Sequence, residues 1–499
     1  MQRKYRKERN YAKPILLLAS VLLASGAAAG CSGEQAAQQT GAEPDGSAQG
    51  QQSTGANKVK ITFSTDRSKV EEDNQTMQKL VSDYNALPSG KAQVELQLAD
   101  YGDNGNDART WVTTQLIGNN APDIFRSRYL WTQEDYGKGL LTDFNGYLDK
   151  TTPYNDNKPW RSTFSDSIMN AMLVPTTDKI AGIPTFSNAV RLFYNKELFK
   201  KAGITDLPQT WEQFNEAQAK LKAQGITPMA IGTNKQGGDR PNWMIRYFSD
   251  QTVEKLIPQL DLDKNGSVTS NEIVFGVDSG LIDFTKQPFI DLFPIMKDWT
   301  QYWPKGFNGL AVEDADDMFM RGDAAMTLNL PGFSKQLKGL VDYGVMRVPY
   351  LTKKTQSDAE EKYYEVAAGN PDGVYAISKK IAPEKVEPAV DFLMYLTSPK
   401  VQQVFGEQLY KVPILKDAKF PDNIKEFLVV NEPFKMNLFG PAFSKNLYET
   451  FGKEGQLYLD GTLPLKDFAE KLNQAARKEA DAMKASQGWS KENQYGTKK

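Results

Sequence analysis

The sequence predicts an α/β protein built as two lobes, and three observations lead there. Its 499 residues exceed the roughly 250–300 at which a single hydrophobic core stops growing. From Val59 onward, stretches of alternating apolar residues take turns with stretches of helical spacing, the pattern of a parallel sheet covered by helices. A second α/β run begins near Ile180.

Taken in order, Val59-Lys-Ile-Thr-Phe-Ser64 alternates as a strand, and Met77, Leu80, Val81 and Tyr84 recur at helical spacing between Val70 and Leu87. Val94–Leu98 is a second strand, Asp107–Ile117 a second helix and Asp123-Ile-Phe125 a third strand. Ligands of such sheets sit at the carboxyl ends of the strands, so the loops after Phe63, Ala99 and Phe125 are the ones to examine. In the second run, Val190–Tyr194 is strand-like, Asn195–Ala202 helical, and Thr210–Ala223 an amphipathic helix. Thr210 is its expected N-cap and Trp211 a core residue. Ala324–Leu328, Val345–Val348 and Val374–Ile377 read as further strands, Glu387–Leu396 and Leu465–Ala485 as helices.

Composition removes several chemistries. There is no histidine, which excludes imidazole acid–base catalysis and imidazole metal ligands. One cysteine, Cys31, excludes internal disulfides and thiolate zinc sites. A formal net charge of -2 argues against a nucleic-acid partner, which would call for a basic face.

The amino terminus accounts for the cysteine. Basic residues from Arg3 to Lys13 precede an apolar run, Ile15–Ala24, and small residues lead to Cys31. That run is shorter than the ~20 apolar residues of a spanning helix, so residues 1–30 read as a secretory signal peptide. Ala28-Ala-Gly-Cys31 resembles a bacterial lipobox, with Ala28 standing where Leu is usual, and makes Cys31 the expected lipidation site. Residues 31–57 are Gly, Ser, Gln and Ala with almost no large apolar side chains. Such a segment cannot offset its ordering entropy and is expected to be a tether.

Several segments together resemble the family-1 extracellular solute-binding proteins, the sugar-capturing components of ABC importers. They are Gln115–Ile124, Gly139–Phe144, Ile183-Pro184, Tyr194–Gly203, Leu207–Phe214, Phe319–Met326, Pro331–Phe333 and Ala389–Pro399. Their order and spacing cover nearly all of residues 58–480. The resemblance implies a two-lobed, periplasmic-binding-protein-like fold with a ligand cleft between lobes joined by hinge strands. It places the amino-terminal lobe in residues 58–175 and 367–415, the carboxy-terminal lobe in 176–366 and 416–485, and a polar tail in 486–499. It further implies a non-enzymatic monomer, held at the outer face of the cell membrane by its lipid. That monomer would capture a carbohydrate, an oligosaccharide, and deliver it to ABC importer permease subunits. The rival readings are an anchored polysaccharide-cleaving enzyme with paired carboxylates and a sugar-sensing partner of a membrane receptor.

Sugars present hydroxyls and flat C–H faces, so their sites need aromatic platforms beside planar polar groups. The loop Arg126-Ser-Arg-Tyr-Leu-Trp131 holds both, and by resemblance it lines the cleft, making Arg128 and Trp131 the first candidates. Asn188 and Arg191, in the segment entering the second lobe, are further candidates, Arg191 being equally suited to a structural ion pair. Phe333 falls where the family often places a stacking Trp or Tyr. Trp243, in a Gly/Asn-rich loop before a helix, Asp66 and Arg67 after the first strand, and Asp372 before a returning strand complete the set.

One motif stands apart. Asp261-Leu-Asp-Lys-Asn-Gly-Ser-Val-Thr-Ser-Asn-Glu272 matches the calcium-loop pattern D-x-[DN]-x-[DN]-G-x5-E at every position. Asp261, Asp263 and Asn265 would supply side-chain oxygens, Ser267 a carbonyl, Thr269 the position often bridged by water, and Glu272 both carboxylate oxygens. One structural Ca2+ is therefore expected in the second lobe. Val253–Leu260 before the loop reads as helical with Pro258 straining its end, and Gly276, Asp278 and Gly280 after it oppose a regular exit helix.

Overall fold

A computed structural model describes residues 58–100, 105–175, 177–234, 239–264, 266, 268–365, 371–419, 421–428, 436, 438–439 and 445–497. Cys31 and the expected signal peptide and tether lie outside the described residues, as do Asn265 and Ser267 of the acidic loop. Among the described residues no helix is long and apolar enough to cross a membrane.

Among the described residues ten strands are formed: β1 (Val59–Asp66), β2 (Ala92–Ala99), β3 (Ile124–Ser127), β4 (Phe186–Ser187), β5 (Arg191–Asn195), β6 (Thr227–Met229), β7 (Ala324–Asn329), β8 (Tyr343–Met346), β9 (Pro371–Asp372) and β10 (Val374–Ile377). In the first lobe the sheet order is β10-β3-β1-β2, with β1 parallel to both neighbours and β10 antiparallel to β3. Ile61 and Phe63 of β1 are fully buried. Phe63 meets Tyr375 of β10 and Phe392 edge-on at 4.9 and 5.1 Å, geometries aromatic quadrupoles favour. The helix Glu71–Ala86 seats Met77, Leu80, Val81 and Tyr84 on this core, and its first turn is acidic, which suits the positive end of the helix dipole.

The second lobe carries the sheet β6-β7-β5-β8, in which β6 runs parallel to β7 while β5 opposes both β7 and β8. Thr210 and Gln213 form the capping box of the helix Trp211–Ala223. Trp211 is buried against Phe248 and Trp299 at 4.8 and 5.5 Å, the core role its position after the cap suggests.

Among the described residues the chain passes between the lobes' cores three times, at a waist where the crossing segments meet. β4 pairs with β9 through Phe186↔Asp372 and Ser187↔Pro371, and Ser187 exchanges backbone hydrogen bonds with Val412. Gly373 follows β9 at φ +53°, and a Cβ there would meet Phe186 and Thr185 at 2.3–2.4 Å. Only glycine permits that close approach of two hinge segments. The first crossing comes later than residue 176, because Ile180 and Ile183 belong to the first lobe's core and Val190 is the first large residue of the second.

Three further expectations are corrected. Pro258 sits at the start of the short helix Ile257–Leu260, where a missing N–H costs nothing. A regular helix, Ser270–Ser279, does leave the acidic loop, begun by a Thr269/Glu272 capping box and ended by Gly280 in the left-handed region. The polar tail also folds back: Tyr495 is buried, stacks at a tilt on Phe275 at 5.5 Å and accepts a hydrogen bond from Asn271 through its carbonyl. Its hydroxyl reaches Asp278 at 3.1 Å.

Candidate functional site

Because β1 and β3 are parallel, they end on one edge of the first sheet, and antiparallel β10 begins there, Val374 facing Ser127. Three side chains converge at that edge. Arg126 donates from Nε to Asp66 at 2.9 Å and from Nη2 to Asp372 at 2.6 Å. Asp372 also accepts from Asn188 Nδ2 and from the Gly373 amide at 2.7 Å. Lys411, on the third crossing segment, lies over the Phe186 ring at 4.6 Å. Each crossing segment therefore contributes one polar group, Asn188, Asp372 and Lys411, to a cluster completed by the first lobe's Arg126 and Asp66.

The electrostatics follow from this packing. Burial lowers the Arg126 pKa, but Asp66 and Asp372 more than reverse it and leave the guanidinium above its ordinary value. Burial raises Asp372, and Arg126 and Lys411 outweigh it, holding the carboxyl below its ordinary value. Lys411 moves the other way, lowered by burial that Asp372 only partly offsets.

The facing edge of the second lobe is marked by the Arg191↔Asn329 pair, immediately after the hinge. Asn329 donates to Asp316 at 2.9 Å, and Asp316 is ion-paired to Arg240. Trp243 is half-buried against the lobe's core within the helix Asp239–Thr252, not in a loop before it. A second link joins the lobes, Lys335 being ion-paired to Asp73 of the first lobe and donating to the Gln408 carbonyl at 3.0 Å.

Asp66, Asn188 and Asp372 are thus brought together, whereas other candidates are placed elsewhere. Arg191 is only 2 % exposed and pairs with Glu365 at 2.7 Å. It also donates to the carbonyls of Val190, Glu426 and Leu428, so it is the structural ion pair and not a cleft group. Phe333 is 3 % exposed, edge-on to Phe193 at 5.3 Å and near Phe319 at 6.1 Å; it fills core and offers no stacking face. Arg67 is exposed and bonds the Leu98 carbonyl at 3.3 Å. Trp131, half-buried in the first turn of the helix Tyr129–Gly137, has the guanidinium carbons of Arg128 and Arg109 over its ring at 5.0 and 5.5 Å. A sugar stacking there must displace one of them. Arg109 is itself anchored by Asp135 at 2.7–2.8 Å and Glu134 at 2.9 Å, which leaves exposed Arg128 as the one to move.

Arg126 and Lys411 escaped sequence reading. Arg126 stands in the very loop singled out, but strand parity was needed to aim it at Asp66. Lys411, in an ordinary Tyr-Lys-Val-Pro stretch, carries no local signal.

In the acidic loop, ligand oxygens of Asp261, Asp263 and Glu272 lie within 4.8 Å of one another. Gly266, at φ +85°, turns the chain so that its amide reaches Asp261 at 2.9 Å. Fully buried Glu272 accepts from the amides of Leu262, Asp263 and Thr269 and from the Thr269 hydroxyl at 2.7–3.3 Å. Burial raises its pKa, and among the described residues no basic side chain forms a salt bridge with it. Three convergent carboxylates in a loop preshaped by its own amides suit a hard cation with oxygen ligands.

Comparison with known proteins agrees with this architecture. Residues 68–403 match the family described as bacterial extracellular solute-binding protein. The maltodextrin-binding protein MdxE of Bacillus subtilis is 26% identical over 298 residues, 59% of this chain and 61% of that protein. A putative binding protein of Brucella abortus is 24% identical over 48% of this chain, and an sn-glycerol-3-phosphate-binding periplasmic protein from the same organism is 24% identical over 46%. The aligned regions span about half the length of these Brucella relatives, 52% and 48%. Among solved structures, a chitin oligosaccharide binding protein superposes with TM-score 0.65 at 19% identity, covering 85% of this chain and all of that one. A maltose-bound MalE3 superposes with TM-score 0.60 at 18% identity over 84% of this chain and 99% of that one.

Proposed function

Because this chain belongs to the bacterial extracellular solute-binding protein family, we propose that it captures a carbohydrate, an oligosaccharide, between its two lobes and delivers it to an ABC importer. The observation that carries this reading is the meeting of three crossing segments, through Asn188, Asp372 and Lys411, beside Asp66 and Arg126 of the first lobe. Planar hydrogen-bonding groups sit there where two lobes can close on one ligand. Closure lets both lobes touch the sugar and excludes water, and the ligand shifts the lobe equilibrium by its preference for the closed state. The maltodextrin-binding and chitin oligosaccharide binding relatives support a sugar.

Glycoside hydrolysis needs one carboxyl held protonated at working pH, and Asp372 is not suited to that part, since Arg126 and Lys411 hold its pKa below the ordinary value. In this reading Cys31 carries the lipid that holds the protein, as a monomer, at the extracellular face of the cell membrane.

Tryptophan fluorescence titrated with a panel of neutral and uronate-containing oligosaccharides tests the function, and a panel in which none binds refutes it. Trp131→Ala and Arg128→Ala measured beside the parent test that part of the cleft; unchanged affinity in both removes it.

The loop Asp261–Glu272 is proposed as a Ca2+ site of the second lobe. Asp261, Asp263 and Glu272 would hold the ion, which supplies positive charge to carboxylates that are otherwise packed against one another and has no contact with sugar. A thermal midpoint that is the same in EDTA and in added calcium refutes it.

A further inference from the structure

Both neutral-sugar and phosphate-ester binders occur among the relatives, so membership alone does not decide the ligand's charge. The charge arrangement at the waist bears on it. Recognition of a phosphate or carboxylate uses cations whose donors are open to the ligand, above all a bidentate guanidinium. Here several cations of the facing edges are already met by protein carboxylates. Arg126 is paired on two sides, by Asp66 and by Asp372; Lys335 is paired to Asp73, and Arg240 to Asp316. Lys411 faces the charges of Asp372, Asp73 and Asp66. What remains open at Arg126 is carboxylate oxygen. Asp66 is 57% exposed and spends one oxygen on Arg126, so lone pairs are left that a sugar hydroxyl can donate to and an anion cannot.

We propose that Asp66 and Asp372, by neutralising Arg126 from both sides, are specificity-determining residues that make the cleft select neutral oligosaccharides against uronate-containing and phosphorylated ligands. This rests on the carbohydrate-capture reading above and narrows it. Exposed Arg128, over the Trp131 ring, and exposed Arg67, bonded to the Leu98 carbonyl, are cations that the pair does not cover. Arg128 immediately precedes the helix Tyr129–Gly137, and its charge is shared with the ring face.

The test is calorimetric titration of the purified full chain with neutral trisaccharides (maltotriose, xylotriose, N,N′,N″-triacetylchitotriose), with trigalacturonate and with sn-glycerol 3-phosphate. At least one neutral trisaccharide is expected to bind about tenfold or more tightly than either anion, since like charges brought together at a binding surface are strongly disfavoured. Asp66→Asn and Asp372→Asn each keep the shape and uncover Arg126, and each is expected to narrow that ratio about fivefold or more by strengthening the anions. Thermal unfolding shows that the variants fold, and exposed Asp66 provides the milder substitution. Trigalacturonate bound more tightly than every neutral sugar overturns the charge selection and leaves carbohydrate capture standing. A ratio unchanged in both folded variants likewise overturns the role of the pair alone. Binding of sn-glycerol 3-phosphate only, or of none of the probes, overturns the capture reading together with the inference built on it.

Discussion

Replacing Arg191 with methionine separates a structural from a ligand-contacting arginine. The side chain is 2 % exposed, Glu365 is 1 % exposed, and they meet at 2.7 Å. Arg191→Met leaves a buried carboxylate whose nearest other cation, Arg347 Nη2, stands at 3.8 Å, beyond hydrogen-bond reach. It also removes the donor shared by the Val190, Glu426 and Leu428 carbonyls at 3.0–3.2 Å. Breaking one side of a buried pair costs about 3–5 kcal/mol, a large share of the roughly 5–15 kcal/mol that holds a typical fold. Urea unfolding should show that loss. Hydrogen exchange should locate it around β5 and the turn Lys425–Phe427, since the lobes need not unfold together. Arg191→Met/Glu365→Leu removes the stranded charge and should recover most of it, because an apolar replacement of a buried pair is often neutral. A single variant within about 0.5 kcal/mol of the parent refutes the reasoning. So does a loss of oligosaccharide affinity of about tenfold or more at unchanged stability, a loss of some 1.4 kcal/mol of binding energy.

Three other outcomes are expected. Phe333→Ala, which empties a site between Phe193 and Phe319, should cost about 3–5 kcal/mol in denaturant titrations, with oligosaccharide affinity of the folded fraction retained. Calcium should raise the thermal midpoint at neutral pH and Glu272→Gln should abolish the rise. Burial holds the Glu272 pKa above its ordinary value and protons compete with metal, so the calcium effect should fade on acidification at a higher pH than an exposed glutamate would give. In the metal-free protein the same raised pKa favours the protonated fold, a contribution present below the unfolded-state value and lost as pH rises through the folded one. Truncation after Gly488 uncovers the Tyr495 site on Phe275 and should cost about 1.5–3 kcal/mol, the worth of burying one large side chain, read as a lowered midpoint.

Local chemistry explains which features were legible. Apolar alternation placed β1 and β2, since a strand with one buried face must repeat every two residues. Thr210 announced a helix start because an N-cap is satisfied within the helix's own first turn, and the structure adds Gln213 to complete the capping box. The calcium-loop motif likewise lies within twelve consecutive residues, and the structure does bring Asp261, Asp263 and Glu272 together. Gly276 and Asp278 misled about the following helix, where burial of Ile273, Val274 and Val277 overrides weak intrinsic propensity.

The sequence by itself determined the α/β class, the family-wide order of segments, the missing imidazole chemistry and the spacing of the acidic loop. All of these depend on residue identity or on neighbours close along the chain. Only the tertiary structure decided which charges meet. Arg126 finds Asp372 across 246 positions and Arg191 finds Glu365 across 174, one pair at the waist and the other inside the second lobe. Two arginines of the same chemistry thus part company because sheet register and hinge crossing set their distance from a carboxylate. Coulombic energy depends on that distance and on local burial, neither of which is written in the chain near the arginine.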